Sequence, residues 1–218
     1  IMSVKIFLHD VRLPFPTLGE PEYFGGKKVR DTDKRRWSAT GLLGTDTLAQ
    51  ACDANGRPTG PKVNAIELVN DALKKAATEK WEKKAAVHLG NILPDPKGCC
   101  FVDGNRKEYD GYQGKWALSA HRNEDQGRPL VLDNDRSPIY KPDNALYEGK
   151  AGHIFGGCYV NLHVEIWAQD NASGKGLRAG LLGVQRVRTG DSFGGGSAPT
   201  ADAFGDVADG ADAPDDLG

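Results

Sequence analysis

Tyr159-Val160-Asn161-Leu162-His163-Val164-Glu165-Ile166-Trp167 is the stretch on which the fold assignment turns. Val160, Leu162, Val164 and Ile166 recur at every second position, the repeat at which an extended chain sends side chains to alternate faces. A helix would spread these four around its circumference. The stretch therefore predicts a half-buried strand, with Tyr159, Asn161, His163, Glu165 and Trp167 on its other face. Working outward, Leu177 to Arg188 is a second strand candidate, and Arg178, Arg186 and Arg188 share one parity along it. Three more candidates lie upstream: Val4 to Leu13, halted by Pro14-Phe15-Pro16, then Arg35 to Leu43 and Lys115 to Arg122. The 28 glycines and 12 prolines in 218 residues agree with a turn-rich, strand-heavy chain.

One helix interrupts the strands. Between about Lys62 and Ala86, Ile66, Val69, Leu73, Ala76, Ala77 and Trp81 recur at helical spacing, with lysines elsewhere on the surface. Pro61 suits its first turn, and neither Gly nor Pro follows before Gly90. Residues 44–60, 90–114 and 123–157 are long Gly/Pro/Asp-rich connections, the kind that carry function or lack fixed structure. The expected fold is mainly β: an OB-fold-like antiparallel barrel with one inserted helix, long loops and a disordered acidic C-terminal tail. Its expected division is a body of residues 1–189 and a tail of residues 190–218.

The charge is divided in the same way. After Arg188 there is no Lys or Arg, while seven aspartates follow, so a net charge of −2 for the whole chain leaves +5 for residues 1–188. A basic body with an acidic extension points to nucleic acid as the ligand of the body, and to the tail as an interaction or competitor segment. The tail has too few large apolar groups to offset its ordering entropy.

Single-strand binding needs cations for phosphates and aromatic faces for bases. The body interleaves them: Tyr23 and Phe24 before Lys27, Lys28 and Arg30; Lys34, Arg35 and Arg36 beside Trp37; Arg106 and Lys107 leading to Tyr109, Tyr112, Lys115 and Trp116; then Tyr140, Lys141 and Tyr147. Trp37, Tyr112, Trp116 and Tyr147 are the expected base-stacking residues. Lys34, Arg35, Arg36, Lys107, Lys115 and Arg186 are the expected phosphate contacts. Trp37 and Trp116 also fit core positions of their strands. Asp209, Asp212, Asp215, Asp216 and Leu217 are the expected protein-contacting residues of the tail.

Enzyme signals are weak. The chain lacks a phosphate-binding loop ending in Lys-Ser/Thr, a His-Glu-x-x-His motif and a nucleophile elbow. His163 with Glu165, or Asp133, Asp135 and Asp143, could hold a cation but read more simply as polar strand and turn residues. Cys52, Cys99, Cys100 and Cys158 lack zinc-ligand spacing. No catalysis, cofactor or metal is expected. No apolar run approaches the roughly 18 residues of a membrane span, and no secretory signal is visible, so an intracellular protein without membrane contact is expected. The alternative to nucleic acid is a structural or interaction protein whose basic body meets an acidic protein.

Gly156-Gly157-Cys158-Tyr159-Val160-Asn161, the segment GLRAGLLGVQRVRTGD from Gly176, Asp110-Gly111-Tyr112, Gly114 to Ala120, Arg36-Trp37-Ser38-Ala39-Thr40 and Glu79-Lys80-Trp81 occur in one order. Together they resemble the bacteriophage single-stranded-DNA-binding proteins of OB-fold type, over most of residues 4–192. The resemblance implies sequence-tolerant single-strand binding in phage replication, recombination or repair, in the cytoplasm of an infected bacterium. It also implies an acidic tail free to contact replication or recombination proteins, and leaves a homo-oligomer open. The chain ends Asp215-Asp216-Leu217-Gly218, without the terminal aromatic residue of many single-strand binders.

Overall fold

The computed structural model describes residues 3–193; the tail residues Asp209, Asp212, Asp215, Asp216 and Leu217 lie outside the described residues. The strands are β1 (Val4–Arg12), β2 (Thr17–Glu22), β3 (Arg36–Leu43), β4 (Leu48–Cys52) and β5 (Pro58–Asn64). Helices α1 (Ala65–Trp81) and α2 (Ala85–Ile92) follow, then β6 (Phe101–Asp103), β7 (Trp116–Asn123), β8 (Leu130–Leu132), β9 (Tyr159–Asn171) and β10 (Gly174–Arg188).

Five of these strands close a ring in the order β1–β3–β7–β10–β9 and back to β1. All its pairings are antiparallel except β7 with β10. That connectivity is the five-stranded, partly open OB type. Its seams are short: β1 meets β3 at Arg12 and Leu42, and β7 meets β10 at His121 and Gly180. The other ladders are long, with β3 and β7 in unbroken register from Arg36 opposite Asn123 to Leu43 opposite Trp116. The mainly β, OB-like expectation is met as a ring with two thin seams.

The alternation in β9 places the core. Val160, Leu162, Val164 and Ile166 are fully buried, facing Ile6, Leu8 and Leu181 of the adjoining strands. Each such side chain contributes about 1.5–3 kcal/mol by leaving water. Register shifts between Leu8 and Val11 in β1, and twice in β10, bend these strands around the ring.

Those bulges also correct the parity expected for β10. Arg178 lies opposite Trp167 and Arg188 opposite Tyr159, both on the outer face, whereas Arg186 lies opposite the core residue Val160. A single extra residue is enough to turn a side chain from one face to the other.

The helix is shorter than its apolar spacing predicts. Pro61 and Lys62 belong to β5, and the Asn64 side chain accepts the Glu67 amide at 3.1 Å to start α1. Its other end comes at Glu82, where φ is +48°, without a Gly or Pro to mark it. The Trp81 indole N–H donates to Asp170 Oδ2 at 3.0 Å and ties the break to the β9–β10 hairpin. Residues 44–60, read as a loop, hold β4 and the start of β5, the hairpin at the sheet edge. Apart from the half-buried Asn64, β5 is exposed throughout and carries two prolines, so no apolar alternation announces it.

Candidate nucleic-acid interface

In an OB-type ring, ligands lie across the second and third strands, between the loop after the first strand and the loop joining the last two. Here those strands are β3 and β7, and the loops are residues 13–35 and the β9–β10 turn. A groove of about 650 Å³ lies there, lined by Phe24, Arg30, Lys34, Arg36, Asn123 and Ser173 among others.

Arg36 dominates its floor. The guanidinium lies 4.5 Å from the ring centroid of Phe24, which is 78% exposed. The neighbouring cations are taken: Arg30 pairs with Asp33 at 3.1 Å, Lys34 with Asp125, and Arg35 with Glu124 at 2.8 Å. Arg36 forms no ion pair among the described residues. Burial and the like charge of Arg178 both lower its pKa. Arg178 is held by backbone, donating to the carbonyls of Lys97 at 2.9 Å and Gly98 at 3.1 Å. Between them His121 is driven down to about 4 by burial first and then by both guanidiniums, so the imidazole is neutral at pH 7. Trp167, half-buried, lies 6.4 Å from His121, centroid to centroid. Asp33 also lines the groove but is matched to Arg30, so Arg36 keeps its charge next to an open aromatic face, the arrangement that receives a phosphate and a base.

The expected site residues separate in space. Lys34, Arg35 and Arg36 reach this groove or its rim. Trp37 is beneath it, 4% exposed, with its indole N–H donated to the Gly19 carbonyl at 2.8 Å. Arg128 lies over Trp37 at 5.2 Å and over Tyr140 at 4.5 Å, while donating to the carbonyls of Leu18 and Gly19. Trp37 thus braces the β2 segment, and its faces are covered. Tyr112 is buried too, its hydroxyl pushed up to about 12 by burial. Trp116, half-buried, stacks on Phe101 with centroids 4.9 Å apart. Tyr147 is 40% exposed in the long β8–β9 connection, with Lys141 Nζ at 5.8 Å. Lys107 is half-buried, and Lys115 lines a different groove with Arg12, Lys62 and Arg188.

Arg186 meets Asp133 at 3.2 Å, where Lys150 and His153 also donate at 2.6 Å each. Burial alone would raise the Asp133 carboxyl, but these donors and the Asn134 amide outweigh it and hold it well below the carboxylate range. The Asp133 oxygens thereby pin the β8–β9 connection to β10. No cluster of three metal-ligating side chains occurs among the described residues. None of their helices is long and apolar enough to cross a membrane.

Phe24 lines the groove, while Arg178 and His121 act on Arg36 from outside its lining and Trp167 lies beside His121; none of the four was singled out as a contact. Arg178 and Trp167 face each other across β9 and β10. Their outward parity was visible in the sequence; their convergence on Arg36 was not, because it depends on the ring.

The family model described as the Enterobacter phage Enc34 ssDNA-binding protein matches residues 60–217. Protein p50 of Acyrthosiphon pisum secondary endosymbiont phage 1 is 35% identical over 205 residues, 94% of each chain. Among solved structures, the single-stranded DNA-binding protein from bacteriophage Enc34 in complex with ssDNA superposes with a TM-score of 0.62 at 23% identity, covering 87% of this chain and 89% of that one. The C-terminal truncation of the same phage protein gives 0.59 at 25% identity, over 87% and 88%. The chain belongs to the family of the phage Enc34 single-stranded-DNA-binding protein.

Proposed function

We propose that this protein binds single-stranded DNA with little sequence preference and acts without catalysis, coating strands during phage replication, recombination or repair in the cytoplasm of the infected bacterium. The observation that carries the reading is Arg36: a guanidinium with no ion pair among the described residues, reinforced by Arg178 and laid against the exposed ring of Phe24. A phosphate at Arg36 neutralises that field, and a base on Phe24 contributes on the order of 1–3 kcal/mol. Lys34 and Arg35, at the rim, exchange their carboxylate partners for phosphates at small cost because exposed pairs are weak. The family model and the solved structures of the phage Enc34 protein are single-stranded-DNA-binding by name, which supports the same ligand here.

The acidic tail has two roles in this reading. Its six aspartates after Phe193 compete with DNA for the cationic body, and once displaced they contact replication or recombination proteins. Removing residues 194–218 should tighten binding to oligo-dT, most at low salt; unchanged or weaker binding would refute the competitor role.

The central test is a titration of intrinsic tryptophan fluorescence with oligo-dT and a matched duplex at two salt concentrations. The expected result is quenching by oligo-dT, weakened by salt and much smaller with duplex. No binding to either at low salt would overturn the assignment and leave an acidic protein as the ligand to seek.

A further inference from the structure

A second groove, of about 610 Å³, lies near the far end of β3, with Leu42 in its wall, roughly 20 Å along the strand from Arg36. Arg12, Lys62, Lys115 and Arg188 line it, against the carboxylates of Asp10 and Asp46. Arg188 is matched to Asp10 at 3.0 Å and covers Tyr159 at 3.4 Å. Arg12, Lys62 and Lys115 form no ion pair among the described residues, which leaves the groove net positive. Arg12 Nε is buried without a hydrogen-bond partner, although Nη2 donates to the Asp191 carbonyl at 2.9 Å. A guanidinium left short of acceptors at a groove wall is suited to an incoming anion.

Beside this cationic wall stands an open aromatic platform. Phe15 is 56% exposed and Tyr109 54% exposed, with their rings 5.7 Å apart and edge to face. Phe193 links them to the groove, with its ring 6.0 Å from Phe15 and 4.2 Å from the Arg12 guanidinium. Tyr112 supports Tyr109 from below at 5.5 Å. Phe15 sits between two prolines at a φ of +40°, a conformation that non-glycine residues rarely adopt and that accompanies functional constraint. Large apolar faces held in water beside unpaired cations are the two parts of a single-strand track.

We infer that this second groove is a further single-stranded-DNA contact surface, in which Phe15 and Tyr109 stack on bases while Arg12, Lys62 and Lys115 take the adjoining phosphates. The inference rests on the single-strand reading above and extends it: a short strand occupies the Arg36 groove alone, and a longer one engages both.

The test compares oligo-dT of about 6 and about 20 nucleotides, lengths that bracket the footprint of one OB fold. The full chain, the double variant Phe15→Ala/Tyr109→Ala and the double variant Lys62→Gln/Lys115→Gln are titrated by anisotropy, with melting curves to establish that each is folded. The aromatic variant should bind the short strand as the parent does, and the long strand about 5- to 150-fold more weakly for each base stack lost. The lysine variant should reduce the salt slope for the long strand by about 1.4, with the short-strand slope unchanged. Long-strand affinity and slope equal to the parent's in both variants would overturn the second surface, as would equal losses at both lengths. A parent that binds neither oligonucleotide would instead refute the single-strand reading itself.

Discussion

Asp133→Asn removes one negative charge from a buried knot and leaves its shape. The carboxylate is 3% exposed and accepts from Lys150, His153 and Arg186, the first two at 2.6 Å and the third at 3.2 Å. Breaking a buried pair by removing one partner costs about 3–5 kcal/mol, because the cations left behind are uncompensated. Asparagine keeps one acceptor oxygen and recovers about 1 kcal/mol of that, so the expected loss is about 2–4 kcal/mol. For a domain of this size that lowers Tm by about 4–16 °C, readable by circular dichroism at pH 7. The pH dependence has a definite sign. The folded carboxyl is held below its unfolded value, so its stabilisation is fully present above the unfolded pKa and is lost as pH falls toward the folded one. The deficit of the variant should therefore be constant from neutral pH down to about pH 5 and shrink in stronger acid. A Tm within about 2 °C of the parent at pH 7 would refute the claim that Asp133 anchors the β8–β9 connection.

Arg36→Ala should weaken oligo-dT binding about tenfold and lower the salt slope by about 0.7, measured by titration across salt; unchanged affinity would move the primary contact elsewhere. Trp37→Phe should cost about 1–3 kcal/mol in urea unfolding through the lost bond to Gly19, yet leave oligo-dT affinity within about twofold. A large affinity loss at preserved stability would show instead that Trp37 reaches a base. His121, with its folded value at about 4 below an unfolded value near 6.5, stays neutral in the fold, so protonation favours the unfolded chain. The parent should lose up to about 3 kcal/mol more than His121→Gln between pH 7 and pH 4, and parallel losses would contradict the burial of the imidazole.

Much of the fold was legible along the chain. Period-two alternation is a local consequence of strand geometry, and it located β1 and β9; β3, β7 and β10, the other strands of the ring, were also named as strand candidates. The edge hairpin β4–β5 was not legible, because an exposed strand held by backbone pairing has no apolar alternation to show. The helix break at Glu82 was equally silent, since what anchors it is Trp81 bonding to Asp170, a residue far away in sequence. Of the expected contacts, Lys34 and Arg36 line the groove, but the charges of the run Lys34 to Arg36 are not equivalent: only the partners of Lys34 and Arg35, Asp125 and Glu124, distinguish them from Arg36.

By itself the sequence determined the strand-rich class, the core face of β9, the basic body, the acidic tail and the family. The first four follow from composition or from neighbours along the chain, and the family from resemblance to known phage proteins. Tertiary structure alone decided which aromatic rings are open and which cations are unpaired. Trp37 and Phe24 both adjoin basic residues in the sequence, yet one is buried under Arg128 and the other stands in water. Arg178 and Arg186 share a parity, yet an intervening bulge sends them to opposite faces. Burial and charge pairing are set by residues remote in sequence that the ring brings together, and local pattern carries no information about them.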